Sequence, residues 1–182
     1  HARPHVTLKL ATSLDGCIAL ADGASQWITG DTARAHVHAM RAQSDAIAVG
    51  GGTLRADLPR LDVRLEGLER RSPDRWVLTH GAAPAGWQAL SSPAAIATAM
   101  PDVQYLFVEG GAGAAAAFLA ADLVDRLLIY RAPIVISGGL PCVGDLGLGD
   151  LATAHRRWRM ADRRTLGSDT LEIYERTRCS QA

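Results

Sequence analysis

Residues 5–13 alternate strictly. Val6, Leu8 and Leu10 point one way, and Thr7, Lys9, Ala11 and Ser13 point the other. A period of two is the mark of a strand. One face is apolar, the other small or polar, and Asp15-Gly16 ends the run as a turn. Over 31–43 the period lengthens to that of a helix, capped near Thr29 or Asp31. Ala33, Val37 and Met40 form its apolar stripe, and Arg34, His38 and Arg41 a polar stripe beside it. Short apolar runs at 46–50, 76–79, 104–108 and 126–130 read as further strands, the last stopped by Pro133. The Ala-rich block from Ala112 to about Leu123 favours a helix. Residues 158–164 and 170–175 flank Gly167-Ser168-Asp169, the pattern of an antiparallel hairpin. Turn chemistry is densest at 50–60, 80–93 and 137–150, which read as loops. Strands alternating with helices predict an α/β domain with a mainly parallel central sheet, and the hairpin adds antiparallel strands at the end.

The 182 residues suit one domain, with no long linker and no internal repeat. A hydrophobic content of 48% excludes a mainly disordered chain. No apolar run approaches the ~18–20 residues of a membrane-spanning helix. Nineteen basic residues balance nineteen acidic ones, which argues against a nucleic-acid surface held by bulk charge. Three cysteines, Cys17, Cys142 and Cys179, form no disulfide framework, so a reducing, cytoplasmic compartment is the simpler expectation. A start at His1, with no Met and no signal-type segment, fits a processed chain, a tagged protein or a domain cut from a longer one.

Four features bear chemistry. The strand at 104–108 runs into Gly110-Gly111-Ala112-Gly113 and then a helix. Such a turn lets a ligand approach the backbone, and free N–H groups at a helix start favour phosphate. It also serves simply to pack an Ala helix on a sheet. The acidic residue that should follow an ordinary dinucleotide fingerprint is missing, which disfavours a Rossmann domain. Lys9, the sole lysine among nineteen basic residues, sits within a strand. It is either an edge residue or an inward amine that requires an anion. Glu109 ends a buried strand, where open α/β sheets bind ligands, and it would also suit a helix N-terminus. Gly50–Arg64 carries arginines at 55, 60 and 64, which suit phosphate or plain solvation. The six histidines show no metal-ligand spacing, so no metal is expected. His36 and His38 read as surface or packing residues.

Taken in order, PHVTLKLATSLDG (4–16), SQWITG (25–30), RAQSDAIAVGGGTLRADLPRLDVR (41–64), YLFVEGGAG (105–113) and LVDRLLIYRAP (123–133) resemble the reductase of riboflavin biosynthesis. The resemblance covers about residues 3–176, and its motifs are specific as an ordered set. It implies a dihydrofolate reductase-like fold with helices on both faces of the sheet, one reductase domain over 1–182. It also implies NADPH-dependent reduction of 5-amino-6-(5-phosphoribosylamino)uracil to the ribitylamino compound. By position, the implied catalytic residues are Lys9, Glu109 and Asp57. Ser25, Arg41, Leu61, Arg64 and Glu109 match substrate contacts. Ala11, Trp27, Thr53 and Asp57 match cofactor contacts. Gly111, Ala112, Gly113, Ala114, Ala115, Ala116 and Ala117 match the turn and helix that hold cofactor phosphates, with Thr79 at the adenosine end.

The expected partner is a small phosphorylated substrate, with no nucleic acid and no membrane. The family is commonly dimeric and in bacteria is commonly fused to a zinc deaminase domain, absent from these residues. The chain departs from the family at Cys17, where lysine is usual, at Leu58, where Asp or Asn is usual, and at Leu140-Pro141-Cys142-Val143. Reduction of the same compound before deamination, reduction of another pterin-like or small carbonyl substrate, and a non-catalytic binding module of this fold remain open at this point.

Overall fold

A computed structural model describes residues 2–177. Cys179 lies outside the described residues. The opening alternation forms β1 (His5–Thr12), whose Val6, Leu8 and Leu10 are buried. Gly16 turns the chain with φ +82°, and β2 (Cys17–Ala19) follows. The first helix, α1 (Asp31–Arg41), starts from Gly30 without the expected side-chain cap from Thr29 or Asp31. Its entry is tied from outside instead, since the Gly30 N–H donates to the Asp169 carboxylate at 2.7 Å. Ala33 and Val37 are buried as the stripe predicts, but Arg41 is buried too.

After β3 (Ala46–Gly50) comes α2 (Gly51–Asp57), in the stretch whose glycines read as loop. Tertiary contacts override the weak local propensity of Gly51 and Gly52. Leu54 packs on the core, and the Thr53 hydroxyl accepts the Gly111 N–H at 3.0 Å. The chain continues through β4 (Asp74–Leu78) and β5 (Gln88–Leu90), a short strand in the 80–93 segment expected to be loop. Next come α3 (Ile96–Ala99), β6 (Tyr105–Val108) and α4 (Ala112–Ala120). The remaining elements are β7 (Arg126–Arg131), the two-residue β8 (Leu140–Pro141), β9 (Trp158–Leu166) and β10 (Asp169–Arg176).

Eight strands form one sheet in the order β5-β4-β3-β6-β1-β7-β10-β9, and β2 pairs with β8 separately. The pairs from β5 across to β7 are parallel. Those joining β7, β10 and β9 are antiparallel. The mainly parallel sheet and terminal hairpin therefore stand as expected. Helices cover both faces. Phe118 and Ala115 of α4 and Ile96 of α3 pack with Val6, Leu8 and Leu10 on one side. Ala33 and Val37 of α1 pack with Ile47, Phe107, Leu128 and Tyr130 on the other. With partners on both edges, β1 lies inside the sheet, so Lys9 is no edge-strand residue.

Leu58 closes α2 in the left-handed conformation, with φ 42° and ψ 51°. Its side chain is 77% exposed and recovers little by burial. A branched residue there is strained, whereas Asn tolerates this region. Leu58→Asn is expected to raise the thermal midpoint by about 1–3 °C in a calorimetric scan, the shift that a gain of somewhat under 1 kcal/mol gives a domain of this size. A lowered midpoint would contradict the strain.

Candidate active site

Parallel strands end together, and the carboxyl ends of β1, β3 and β6 open into a cavity of about 580 Å³. Alternation sends Lys9 to the face of β1 opposite the Val6–Leu8–Leu10 core. β6 places Glu109 one residue past its end, tied to β3 by a bond from the Glu109 N–H to the Ala48 carbonyl at 2.9 Å. The Lys9 ammonium and a Glu109 oxygen stand 3.8 Å apart. From α1, Arg41 meets the same carboxylate with two nitrogens, Nε to Oε1 at 2.6 Å and Nη2 to Oε2 at 3.0 Å. Its third nitrogen donates to the Asp62 carbonyl at 2.9 Å. Arg41 is thus engaged on all three nitrogens and braces the carboxylate.

All three side chains are at most 18% exposed. Burial pushes the Glu109 carboxyl upward, but the Lys9 and Arg41 charges and the Arg41 hydrogen bonds outweigh it and hold the group below the usual carboxylate range. Burial pulls the Lys9 amine below its ordinary value despite the attraction of Glu109, and Arg41 adds to that pull. Arg41 is also opposed by burial, yet Glu109 keeps it above its ordinary value.

The glycine turn forms an adjoining wall. Gly110 packs so closely on α4 that a Cβ there would lie 2.5 Å from the Ala114 Cβ, a space only glycine leaves. The first helical bond of α4 runs from the Ala115 N–H to the Gly111 carbonyl. The N–H groups of Ala112, Gly113 and Ala114 therefore precede the helical ladder at its positive end. Of these, Ala112 lines the cavity together with the glycine turn and Thr53, and that edge fits a cofactor phosphate.

The cavity brings together Lys9, Ala11, Ser25, Trp27, Arg41, Thr53, Asp57, Leu61, Arg64, Glu109, Gly111 and Ala112. It does not bring in the rest of the expected set. Thr79 follows β4, two strands away from β6, and its hydroxyl accepts the Gly81 N–H. Gly113, Ala114, Ala115, Ala116 and Ala117 do not line the cavity. Ala114 and Ala115 turn their side chains into the core, and the Ala115 N–H is already spent within the helix.

Asp57 is exposed at the end of α2. Trp27 is 64% exposed, with the Arg34 guanidinium 4.7 Å from its ring centre. Cys17 is buried and Cys142 half-buried, both as free thiols. His38 is the residue that sequence reasoning left aside. It lines the cavity and bonds the loop that carries Leu61 and Arg64. Its place on the polar stripe, one turn before Arg41, was the available signal. His36 packs as expected, with Nδ1 2.7 Å from the Tyr130 hydroxyl.

Four cations, Lys9, Arg34, Arg41 and Arg64, face two carboxylates, Asp57 and Glu109, across the cavity. Arg34 is paired with Asp31 and Arg64 with Asp62, so the uncompensated positive charge is that of Lys9 and Arg41 around the single Glu109 carboxylate, and it draws anionic ligands. Among the described residues no group of three His, Cys, Asp or Glu side chains is placed to hold a metal, and no helix is long and apolar enough to cross a membrane.

The RibD C-terminal domain family matches residues 4–171. The chain belongs to this family. The riboflavin biosynthesis protein RibD of Mycobacterium tuberculosis (strain H37Rv) is 38% identical over 181 residues, a match covering 92% of this chain and 53% of that protein. RibD of Corynebacterium ammoniagenes is 41% identical over 153 residues, covering 76% of this chain and 45% of the relative. The chain thus spans about half the length of these relatives. Among solved structures, Acinetobacter baumannii RibD superposes with a TM-score of 0.84 at 26% identity, over 97% of this chain and 59% of that one. The yeast riboflavin biosynthesis reductase Rib7, at 18% identity and a TM-score of 0.68, shares the fold over 97% of this chain and 91% of its own. The dihydrofolate reductase-like architecture expected from the sequence is that of these RibD neighbours.

In this RibD C-terminal domain Glu109 is the carboxylate that pairs with both buried cations, Lys9 and Arg41. The stability it adds is complete above the ordinary carboxylate pKa and is lost as the pH falls through its lowered value. Glu109→Ala is expected to cost about 3–5 kcal/mol at neutral pH, because Lys9 and Arg41 are left unpaired. That deficit should shrink as the pH falls below the ordinary carboxylate value of about 4.3, where the unfolded wild-type chain takes up a proton that folded Glu109 still refuses. Urea unfolding of both proteins at neutral pH and at about pH 3 measures this, and a deficit independent of pH would contradict it.

Proposed function

We propose that residues 1–182 act as a reductase domain that reduces 5-amino-6-(5-phosphoribosylamino)uracil to 5-amino-6-(5-phosphoribitylamino)uracil with NADPH. The observation that carries this reading is the convergence of Lys9 and Glu109, 3.8 Å apart, in a cavity that also holds the glycine turn and helix start. The membership of the RibD C-terminal domain family supports it. So does the solved Thermotoga maritima protein, a diaminohydroxyphosphoribosylaminopyrimidine deaminase and 5-amino-6-(5-phosphoribosylamino)uracil reductase, with a TM-score of 0.80 at 25% identity.

NADPH, when bound, supplies a hydride for C1′ of the ring-opened ribosylamino group. Gly111, Thr53 and the Ala112 N–H at the start of α4 would hold its phosphates, while Ala11, Trp27 and Asp57 border the same cavity. Glu109, fixed by Arg41, accepts hydrogen bonds from the substrate. Lys9 favours the electrophilic imine-like form, and a lowered amine pKa suits it to supply a proton. Arg64, 56% exposed and held by Asp62 at 3.5 Å, is free to turn to the ribose 5-phosphate. Ser25 and Leu61 border the substrate side. Arg41, already engaged on every nitrogen, serves the phosphate less than it serves Glu109. We further propose that the protein works in the cytoplasm as a homodimer, with the family's deaminase domain as fused neighbour or partner.

The test is NADPH oxidation with the phosphoribosylaminouracil, run in parallel with the pyrimidine before deamination. Turnover on the first and little on the second supports the reading. Turnover on the second alone replaces the substrate, and intact NADPH binding without turnover on either points to a different substrate or a binding module. Lys9→Ala should lower kcat by about 10²–10⁴, the usual worth of a positioned acid–base group, and leave the Kd for NADPH within about twofold. Arg64→Ala should raise KM roughly 10- to 100-fold, as the loss of a charged hydrogen bond does, with kcat little changed. Full activity of the Lys9 variant, or an unchanged KM in the Arg64 variant, would remove that residue from its role.

A further inference from the structure

His38 projects from α1 between Arg34 and Arg41 and reaches the stretch that follows α2. Its Nδ1 lies 3.2 Å from the Arg64 backbone nitrogen, a donor, and 3.1 Å from the Asp62 carbonyl, an acceptor. One ring nitrogen serves only one of them at a time. In neutral imidazole carrying its proton on Nε2, Nδ1 has a lone pair and takes the Arg64 N–H. The Asp62 carbonyl is meanwhile supplied by Arg41 at 2.9 Å. With a proton on Nδ1 the preference inverts. The ring then donates to Asp62, already served, and the Arg64 N–H faces a donor.

We propose that neutral His38 is a positioning residue that grips the backbone of Arg64 and so sets the reach of the Arg64 side chain, making capture of a phosphorylated substrate depend on the protonation state of this one imidazole. The proposal rests on the reductase reading for its substrate and on geometry alone for the grip.

The surroundings favour the neutral ring. Burial opposes its charge, and Arg41 on the same helix and Arg64 on the loop add positive charge nearby, so its pKa lies below the ordinary histidine value. The opposing influences are the Asp62 carbonyl and, from the end of β6, Glu109. Glu109 is committed to Arg41 and Lys9, and Arg34 one turn back pairs with Asp31. On acidification through its lowered pKa His38 gains charge, the Arg64 bond is lost, and KM for the phosphorylated substrate rises. The substrate phosphate titrates in the same range, so the histidine's share must be isolated by substitution.

Two variants do so. Asn at position 38 offers a carbonyl oxygen near the place of Nδ1 and does not titrate, while Leu keeps the bulk and removes the acceptor. With the phosphoribosylaminouracil at pH 8, His38→Asn should keep KM within about twofold of wild type. His38→Leu should raise it roughly 5- to 20-fold with kcat and the Kd for NADPH nearly unchanged, in proportion to one lost hydrogen bond. Between pH 8 and 5.5 the wild-type KM should climb more steeply than that of His38→Asn. Superimposable wild-type and Asn profiles, or a Leu variant with wild-type KM, would overturn the proposal.

The grip is also read without any substrate. Hydrogen exchange of the Arg64 amide at pH 8 should be slow in wild type and in His38→Asn and at least tenfold faster in His38→Leu. Imidazole nitrogen chemical shifts should report the Nε2–H tautomer. Intact exchange protection in a protein that fails to turn over the compound would sink the reductase reading and leave the grip standing. Fast Arg64 exchange in wild type would sink the grip whatever the substrate.

Discussion

Three ionised groups share one buried spot, and the structure around the cavity follows from keeping them there. Glu109 alone, at the end of an apolar strand, would pay heavily for its charge. Lys9 and Arg41 together supply more positive charge than one carboxylate neutralises. Their net balance leaves the floor of the cavity positive, and the demand for geometry is strict, because low-dielectric surroundings strengthen each attraction only when the partners stay in contact. That demand explains why the three come from β1, from the end of β6 and from α1. Two paired strands and a packed helix hold positions better than loops do.

A second constraint is the tight seat of α4 on the sheet. Gly50 and Gly110 both approach the Ala114 methyl, and Thr53 ties α2 to the turn before α4. Small residues on both sides let a helix start come close to the strand ends. Its first residue, Ala112, then lines the same cavity as the charged trio. Polarity and charge are therefore concentrated at one end of an otherwise apolar sheet.

Much of this was legible in the sequence, and for physical reasons. Strict alternation fixed the face on which Lys9 lies, but left open whether that lysine stood on an edge or turned inward toward an anion, which only the strand order decides. Glu109 before glycines marked a strand end. The three-four spacing of Arg34, His38 and Arg41 marked one side of a helix, although its depth was hidden. Arg41 is buried because Glu109 waits for it, and that partner lies sixty-eight positions away. The helix over 51–57 escaped notice because it opens with two glycines and is held by Leu54 and Thr53 through distant contacts. The short strands β2, β5 and β8 carry too few residues for a pattern and exist through their neighbours. His38 was set aside because a single histidine shows nothing of its two backbone partners until the loop after α2 is placed against it.

The loop from 58 to 64 differs in kind from the rest of the cavity wall. It joins no strand, two of its residues, Leu58 and Leu61, hold left-handed backbone, and it is anchored by the buried Leu61 and Val63 and by a few polar bonds to α1. The charged trio sits on the rigid frame instead. Natural variation or engineering can thus change the exposed positions of this stretch, such as Arg60 and Arg64, and retune which anions are admitted, while its buried anchors and the spacing of amine and carboxylate beneath it stay put.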